Sequence, residues 1–227
     1  MKNLKRFSRS EGRPYHHGSL PKAALREAHR ILARKGAEAV TVRAIARGVG
    51  VTPNALYRHF KDKNALLAKL AEEGFRELSE GFRAIHAKDP WKRFREMASA
   101  YVQFGTAKPA VLQLMFEQNI TKAPKDSGLE EAAKQAFMEL LAAAAAAAGV
   151  PVESNDSMQL AIASWSLVHG YTTLLAKGAF DFIKPAHGIE TVARFIELDP
   201  RRWSTYVKNN QRKLRVRQLN RTKMSLA

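Results

Sequence analysis

An arginine guanidinium fits the edge of guanine and an asparagine amide fits adenine, each through two hydrogen bonds. Such a pairing is worth about 1–3 kcal/mol of discrimination against the wrong base. Both ends stand in one stretch of this sequence, TVRAIARGVGVTPNALYRHFKDK, residues 41–63. Arg43 and Asn54 carry them, and Thr52 and Pro53 stand beside Asn54. Thr41, Tyr57, His59 and Lys63 add a hydroxyl, a phenol, an imidazole and an ammonium group, which suit phosphate oxygens. The chemistry on offer is to hold a polyanion and read its bases. Three of them also have a plain structural use. Thr52 can be only a helix cap, Arg43 only a solvated residue of a first turn, and His59 a ring packed half-buried against Phe60. The first four are expected to reach base edges and the second four to reach phosphates.

Groups with that task need short, rigid elements. A first helix is predicted from about Leu20 to Lys35, capped by Ser19 and ended by Gly36, with a stripe of Leu20, Ala24, Ala28, Ile31 and Leu32. Thr41 caps a second helix that ends near Gly48 or Val49, and the chain turns at Gly50. Thr52-Pro53 opens a third helix, with proline where its missing N–H costs nothing. Asp62 caps a long fourth helix, about Lys63 to His86. Helices two and three are too short to stand alone. Ile45, Val49, Val51, Leu56 and Phe60 are expected to give them a shared core, and Ala46 leaves room for a crossing helix. That spacing is a helix-turn-helix. On helix three, Leu56, His59 and Phe60 are expected near one face, with Asn54, Tyr57, Arg58 and Lys61 outside. A recognition helix turns its N-terminal residues to base edges.

The charge agrees with a polyanion partner. The chain of 227 residues carries a formal +17. Its net charge is +11 over residues 1–63, −3 over 64–200 and +9 over 201–227. A basic end on a near-neutral body suits nucleic acid better than it suits general solubility. There is no cysteine, which excludes disulfides and thiolate metal sites. No apolar run follows the basic start as in a signal peptide, and none is long enough to span a bilayer. A soluble, cytoplasmic protein is the expectation. His16-His17 lack further ligands at metal spacing, so no metal is expected, and they belong to a basic arm before the first helix. Nucleophile-elbow, Walker, zinc-protease and dinucleotide motifs are absent, so neither an enzyme nor a cofactor is expected. Glu72, Glu73, Glu77 and Glu80 read as the solvated face of a helix.

The rest of the chain is also helical by pattern. Trp91, Phe94, Met97, Ala98, Tyr101 and Val102 form one stripe, and Val111, Leu112, Met115 and Phe116 another beyond Lys108-Pro109. Residues 121–128 read as a loop, Ala142 to Ala148 as helix, and 149–156 as the break before a helix of about Ser157 to Ala176. A last helix is expected near 189–198. Trp165 and His169 lie one turn apart on a shared face. They are expected near an effector cavity with Phe104, Met115 and Phe116, the plainer use being a core Trp, a satisfied His and Gly170 for helix packing. The basic tail, 201–227, has no acid and is expected to add phosphate contacts or to remain a solvated extension.

Residues 12–67, with TVRAIA…GVTPNALYRHFKDKNAL as their most specific part, resemble the DNA-binding domain of TetR-type transcriptional repressors. Gly48 stands in place of a commoner alanine and is expected to loosen the end of helix two. Asn54 replaces a commonly small residue and is expected to add a base contact. SWSLVHGYTTLLAKG, 164–178, resembles the helix of a Trp-His-Gly C-terminal class within that family. The resemblance implies an all-α homodimer that binds a palindromic operator in double-stranded DNA. A three-helix reader would join a helical dimerisation and effector domain that takes a small apolar molecule. The expected limits are an arm at 1–11, the reader at 12–62, the effector domain at 63–200 and the tail at 201–227. A ligand-responsive repressor is the leading expectation. The alternatives are a DNA-binding regulator with no small-molecule effector and a non-specific basic packaging protein.

Overall fold

The structure, a computed structural model, describes residues 20–117 and 128–182. Every regular element among them is helical. The chain divides into two compact units, with the boundary between Leu67 and Ala68. The expected Ser19 cap, the basic arm, His16-His17, nearly all of the 121–128 loop, the 189–198 helix and the tail lie outside the described residues.

The first unit is built by local signals. Helix α1 runs Leu20–Lys35 and is followed by a single 3-10 turn, Ala37–Ala39. Helix α2 is Val42–Val49, and the Thr41 hydroxyl accepts the Ala44 N–H at 3.1 Å to cap it. Gly50 then takes a left-handed conformation, φ 74° and ψ 32°. A side chain there would cost about 1–2 kcal/mol, which is why the turn falls on glycine. Helix α3 is short, Pro53–Tyr57. Helix α4, Lys63–Arg83, starts where Asp62 Oδ1 accepts the Ala65 N–H at 2.8 Å. The core holds Ala28, Ile31, Leu32, Val40, Ile45, Ala46, Leu56, Phe60 and Leu66.

Three expectations for this unit need correction. Val49 and Val51 are only half-buried, because they flank the exposed reversal at Gly50. His59 and Phe60 do not belong to α3: both N–H groups bond the Leu56 carbonyl at 2.9 Å, beyond the helix end. Gly48 does not loosen α2, which stays helical through Val49. Its lack of a side chain instead admits the Glu27 carboxylate of α1, with which a Cβ would collide.

The second unit uses longer helices. Beyond α4 come α5 (Pro90–Ala107), α6 (Pro109–Met115), α7 (Leu129–Ala148) and α8 (Asn155–Ala176). Asp89 caps α5 through the Lys92 N–H, and Pro109 forces the break to α6. The Ser154 hydroxyl accepts the Ser157 N–H at 3.1 Å, so α8 begins at Asn155, two residues before the predicted start. Helices α5, α7 and α8 pack against one another. Buried Ala143, Ala144, Ala145 and Ala161 keep side-chain bulk low inside this packing. Gly105 does the same for α5: a Cβ there would run into Thr172 Cγ2 of α8 and lie 2.7 Å from Leu112 Cδ2 of α6. No helix among the described residues is long and apolar enough to cross a membrane.

Candidate nucleic-acid interface and effector cavity

The first unit presents its polar residues outward. Thr52, Pro53 and Asn54 open α3, and all are exposed. Thr52 sits at the capping position with extended backbone, yet its side chain makes no capping hydrogen bond. The purely structural use of Thr52 is therefore not realised. Arg43 is exposed in the first turn of α2, and exposed Arg47 follows four residues on, so both lie on one helical face. Arg47 was missed as a candidate, although its spacing from Arg43 gave the signal. Tyr57 is half-exposed at the end of α3, a large ring kept outside a unit that buries Leu56 and Phe60 completely or nearly so. His59 is exposed too, so it does not pack half-buried against Phe60. Thr41 is exposed and already serves as the α2 cap. Lys63 Nζ lies 3.3 Å from both the Glu38 carbonyl and Glu38 Oε2. That carboxylate is almost fully exposed, and such a pair is worth about 0–1 kcal/mol, too little to hold the ammonium against a phosphate. From residue 39 to 61 the sequence has no acid, so nothing on α2 or α3 opposes an approaching polyanion.

The second unit encloses its candidate site. A cavity of about 370 Å³ is walled by Phe75, Leu78 and Phe82 of α4, Phe94, Met97 and Tyr101 of α5, Met115 with Phe116, Ala136 and Phe137 of α7, and Ser164, Trp165 and Val168 of α8. Phe116 is the hub of the aromatic contacts. Its ring centre lies 4.7 Å from His169, 5.5 Å from Phe75 and 5.6 Å from Trp165. The Tyr101 hydroxyl is 2.7 Å from His169 Nδ1. Burial pushes the Tyr101 phenol well above its ordinary range, opposed by a hydrogen bond from Trp165. Burial also lowers the His169 imidazole. Whichever of the two carries the shared proton donates it to the other, and the His169 tautomer decides which.

Residues 24–70 match the family model of bacterial regulatory proteins of the tetR family, and residues 94–197 match a tetracyclin repressor-like C-terminal domain. The chain belongs to the TetR family. It is a helix-turn-helix, DNA-binding transcriptional regulator, from a family whose members act as dimers. A solved protein of unknown function from Rhodococcus sp. RHA1 is 32% identical, with 84% of this chain and 98% of that one covered and a TM-score of 0.70. The TetR family transcriptional regulator PfmR from Thermus thermophilus shares the fold at 22% identity, covering 78% and 97% of the two chains with a TM-score of 0.58. A tetR-family regulatory protein from Rhodococcus RHA1 shares it at 21%, covering 80% and 95%, with a TM-score of 0.57. No curated protein matches the sequence.

In this TetR-family chain three of the five predicted effector residues line the cavity: Met115, Phe116 and Trp165. His169 stands behind the wall, against Phe116 and Tyr101. Phe104 is not brought there. The cavity stripe of α5 is Phe94, Met97, Ala98 and Tyr101. Helical spacing continues it to Gly105, which leaves Phe104 to one side. Phe75, Phe82, Phe137 and Ser164 were missed. Their spacing announces a buried face but cannot tell a filled core from a hollow one. Glu72 also departs from expectation. It is 2% exposed, not part of a solvated face. It shares the buried side of α4 with Ala68, Ala71 and Phe75. Lys69 Nζ at 2.7 Å and Arg76 Nε at 2.9 Å hold its carboxylate, which lies beside Gly128 at the start of α7. Glu77 and Glu80 are exposed as expected, and Glu73 is half-buried.

Proposed function

We propose that this regulator is a ligand-responsive repressor that works as a homodimer on a palindromic operator. In this reading Arg43, Thr52, Pro53 and Asn54 reach base edges, and Thr41, Tyr57, His59 and Lys63 reach phosphates. The observation that carries it is the start of α3: Thr52, Pro53 and Asn54 are exposed together, Thr52 is uncommitted, and buried Leu56 anchors the helix beneath them. Residues 12–62 form the reader and 63–200 the effector and dimerisation domain, with the 1–11 arm and 201–227 tail as basic extensions. The protein acts by binding rather than turnover, and DNA as partner places it in the cytoplasm. The dimer partner docks on α8, where Met158, Ile162, Leu167 and Leu174 are exposed. Leu160 on the same helix is 8% exposed and belongs to the protomer's own core.

A small apolar effector in the cavity favours a state with a different spacing of the two readers. Only a difference in affinity between the states shifts the balance. Helix α4 supports this coupling, since its first turn belongs to the first unit while Phe75, Leu78 and Phe82 wall the cavity. The resemblance of 164–178 to a Trp-His-Gly helix fits the same reading.

Selection from random duplexes gives the operator, and two variants then test the readout. Asn54→Ala is expected to change preference at one or two base positions by about 1–3 kcal/mol. Lys63→Ala is expected to weaken every duplex alike. Equal weakening of all sequences by both variants would mean that Asn54 reads no base.

A further inference from the structure

We infer that the cavity is built for a lipophilic cation, an apolar or aromatic body with a single amine at one end, an inference that rests on reading the cavity as the effector site. Among the described residues, no Lys, Arg or His lines it. A carboxylate or phosphate ester would lose its hydration there without gaining a counter-charge, which is costly. Among the described lining residues the one that carries a charge is Glu130, in the first turn of α7 and exposed, so it stands at the rim. The interior is aromatic. Phe75, Phe94, Phe116, Phe137 and Trp165 line it, and aromatic rings attract a cation as well as an apolar body. Polar anchors inside are few. The Tyr101 hydroxyl is engaged with His169, which leaves the Ser164 hydroxyl as the free neutral anchor among the described lining residues. The lining therefore fits a body with at most one polar group inside and positive charge at the mouth. A volume of about 370 Å³ suits a small molecule rather than a long acyl chain.

Three probes of matched shape decide the charge: 4-phenylbutylamine, 4-phenylbutan-1-ol and 4-phenylbutyrate, titrated calorimetrically into the full chain at pH 7. The amine is expected to bind about fivefold more tightly than the alcohol, as an exposed ion pair allows, and the carboxylate most weakly. Glu130→Gln should abolish the amine's advantage and leave the alcohol's affinity unchanged. Glu131→Gln, one residue along and outside the lining, should change neither. Phenylbutyrate binding as tightly as the amine, or an amine advantage that survives Glu130→Gln, would overturn the inference. If all three bind alike, and quench tryptophan fluorescence in a way that Trp165→Phe removes, the cavity is a small-molecule site and only the cationic class is wrong. If none binds, the effector-site reading falls together with the inference.

Discussion

The two units of this regulator solve opposite problems with the same element. In the first, helices of eight and five residues hold their places through caps at Thr41 and Asp62, a left-handed turn at Gly50 and a shared core under Leu56. Its candidate residues point away from that core, so polarity there costs no buried hydrogen bond. In the second, helices of about twenty residues surround a hollow. Met115, Phe116 and Trp165 line it, where each missing neighbour forfeits packing. A surface that meets a large partner can be displayed by a small, fully packed scaffold. A site that encloses a small molecule must leave part of its own core unbuilt, and needs long helices elsewhere to offset the loss.

The sharpest way to break this comparison is to hollow the packed unit. Leu56 is completely buried and joins α3 to the rest. Leu56→Ala is expected to cost about 2–5 kcal/mol, a large share of the stability of a small unit. DNA binding should be lost while the second unit still melts near its original temperature, so thermal unfolding should separate into two steps. A variant that keeps operator affinity and melts as the parent does would show that the short helices do not depend on that core. The reverse change overfills the second unit. A Cβ at Gly105 meets Thr172 and Leu112, so Gly105→Ala is expected to cost about 1–3 kcal/mol, read as a lower melting temperature of the second unit. An unchanged melting temperature would mean that α5 and α8 separate freely, as expected only if the hollow absorbs the strain.

The same contrast explains what was legible in the sequence. The first unit was readable nearly residue by residue because its signals are local: a threonine before α2, a glycine in the turn, Thr-Pro before α3, an aspartate before α4. Errors there were small in scale, such as assigning His59 to α3, because helix length depends on where Phe60 must enter the core. In the second unit the helices were readable, from Asp89-Pro90, Lys108-Pro109 and the alanine run, but the cavity was not. Phe94 and Phe75 carry the same helical spacing whether a neighbour fills the space before them or leaves it empty. Glu72 was misread for a related reason. Nothing near it in the sequence announces that the start of α7 will close over its carboxylate.

A smaller change should act in the opposite direction. The Ser79 hydroxyl on α4 is buried and has no hydrogen-bond partner among the described residues. Ser79→Ala removes a desolvated polar atom with almost no change of volume, and is expected to stabilise the second unit by about 1 kcal/mol. Chemical denaturation with an unchanged slope and a higher midpoint would show it. A lower midpoint would mean that the hydroxyl finds a partner in solution.

The smallest effect is expected from pH, and it belongs to the second unit alone. His169 has Tyr101 and Phe116 against it, and burial holds its imidazole below the ordinary value of about 6.5. The unfolded chain therefore takes up the proton first as the solution is acidified. The stability that goes with a neutral His169 is complete above about pH 6.5 and drains away as pH falls through the lower folded value. His169→Gln keeps an acceptor for Tyr101 and has no proton to gain. Between pH 7.5 and 5.5 the melting temperature of the second unit should fall further in the parent than in the variant. His169 lies outside the first unit, so the melting of that unit should show no corresponding difference between the two proteins. An equal fall in both would mean that His169 is solvated enough to titrate in the folded state as it does in the unfolded chain, and that the aromatic wall does not seal the back of the cavity from water.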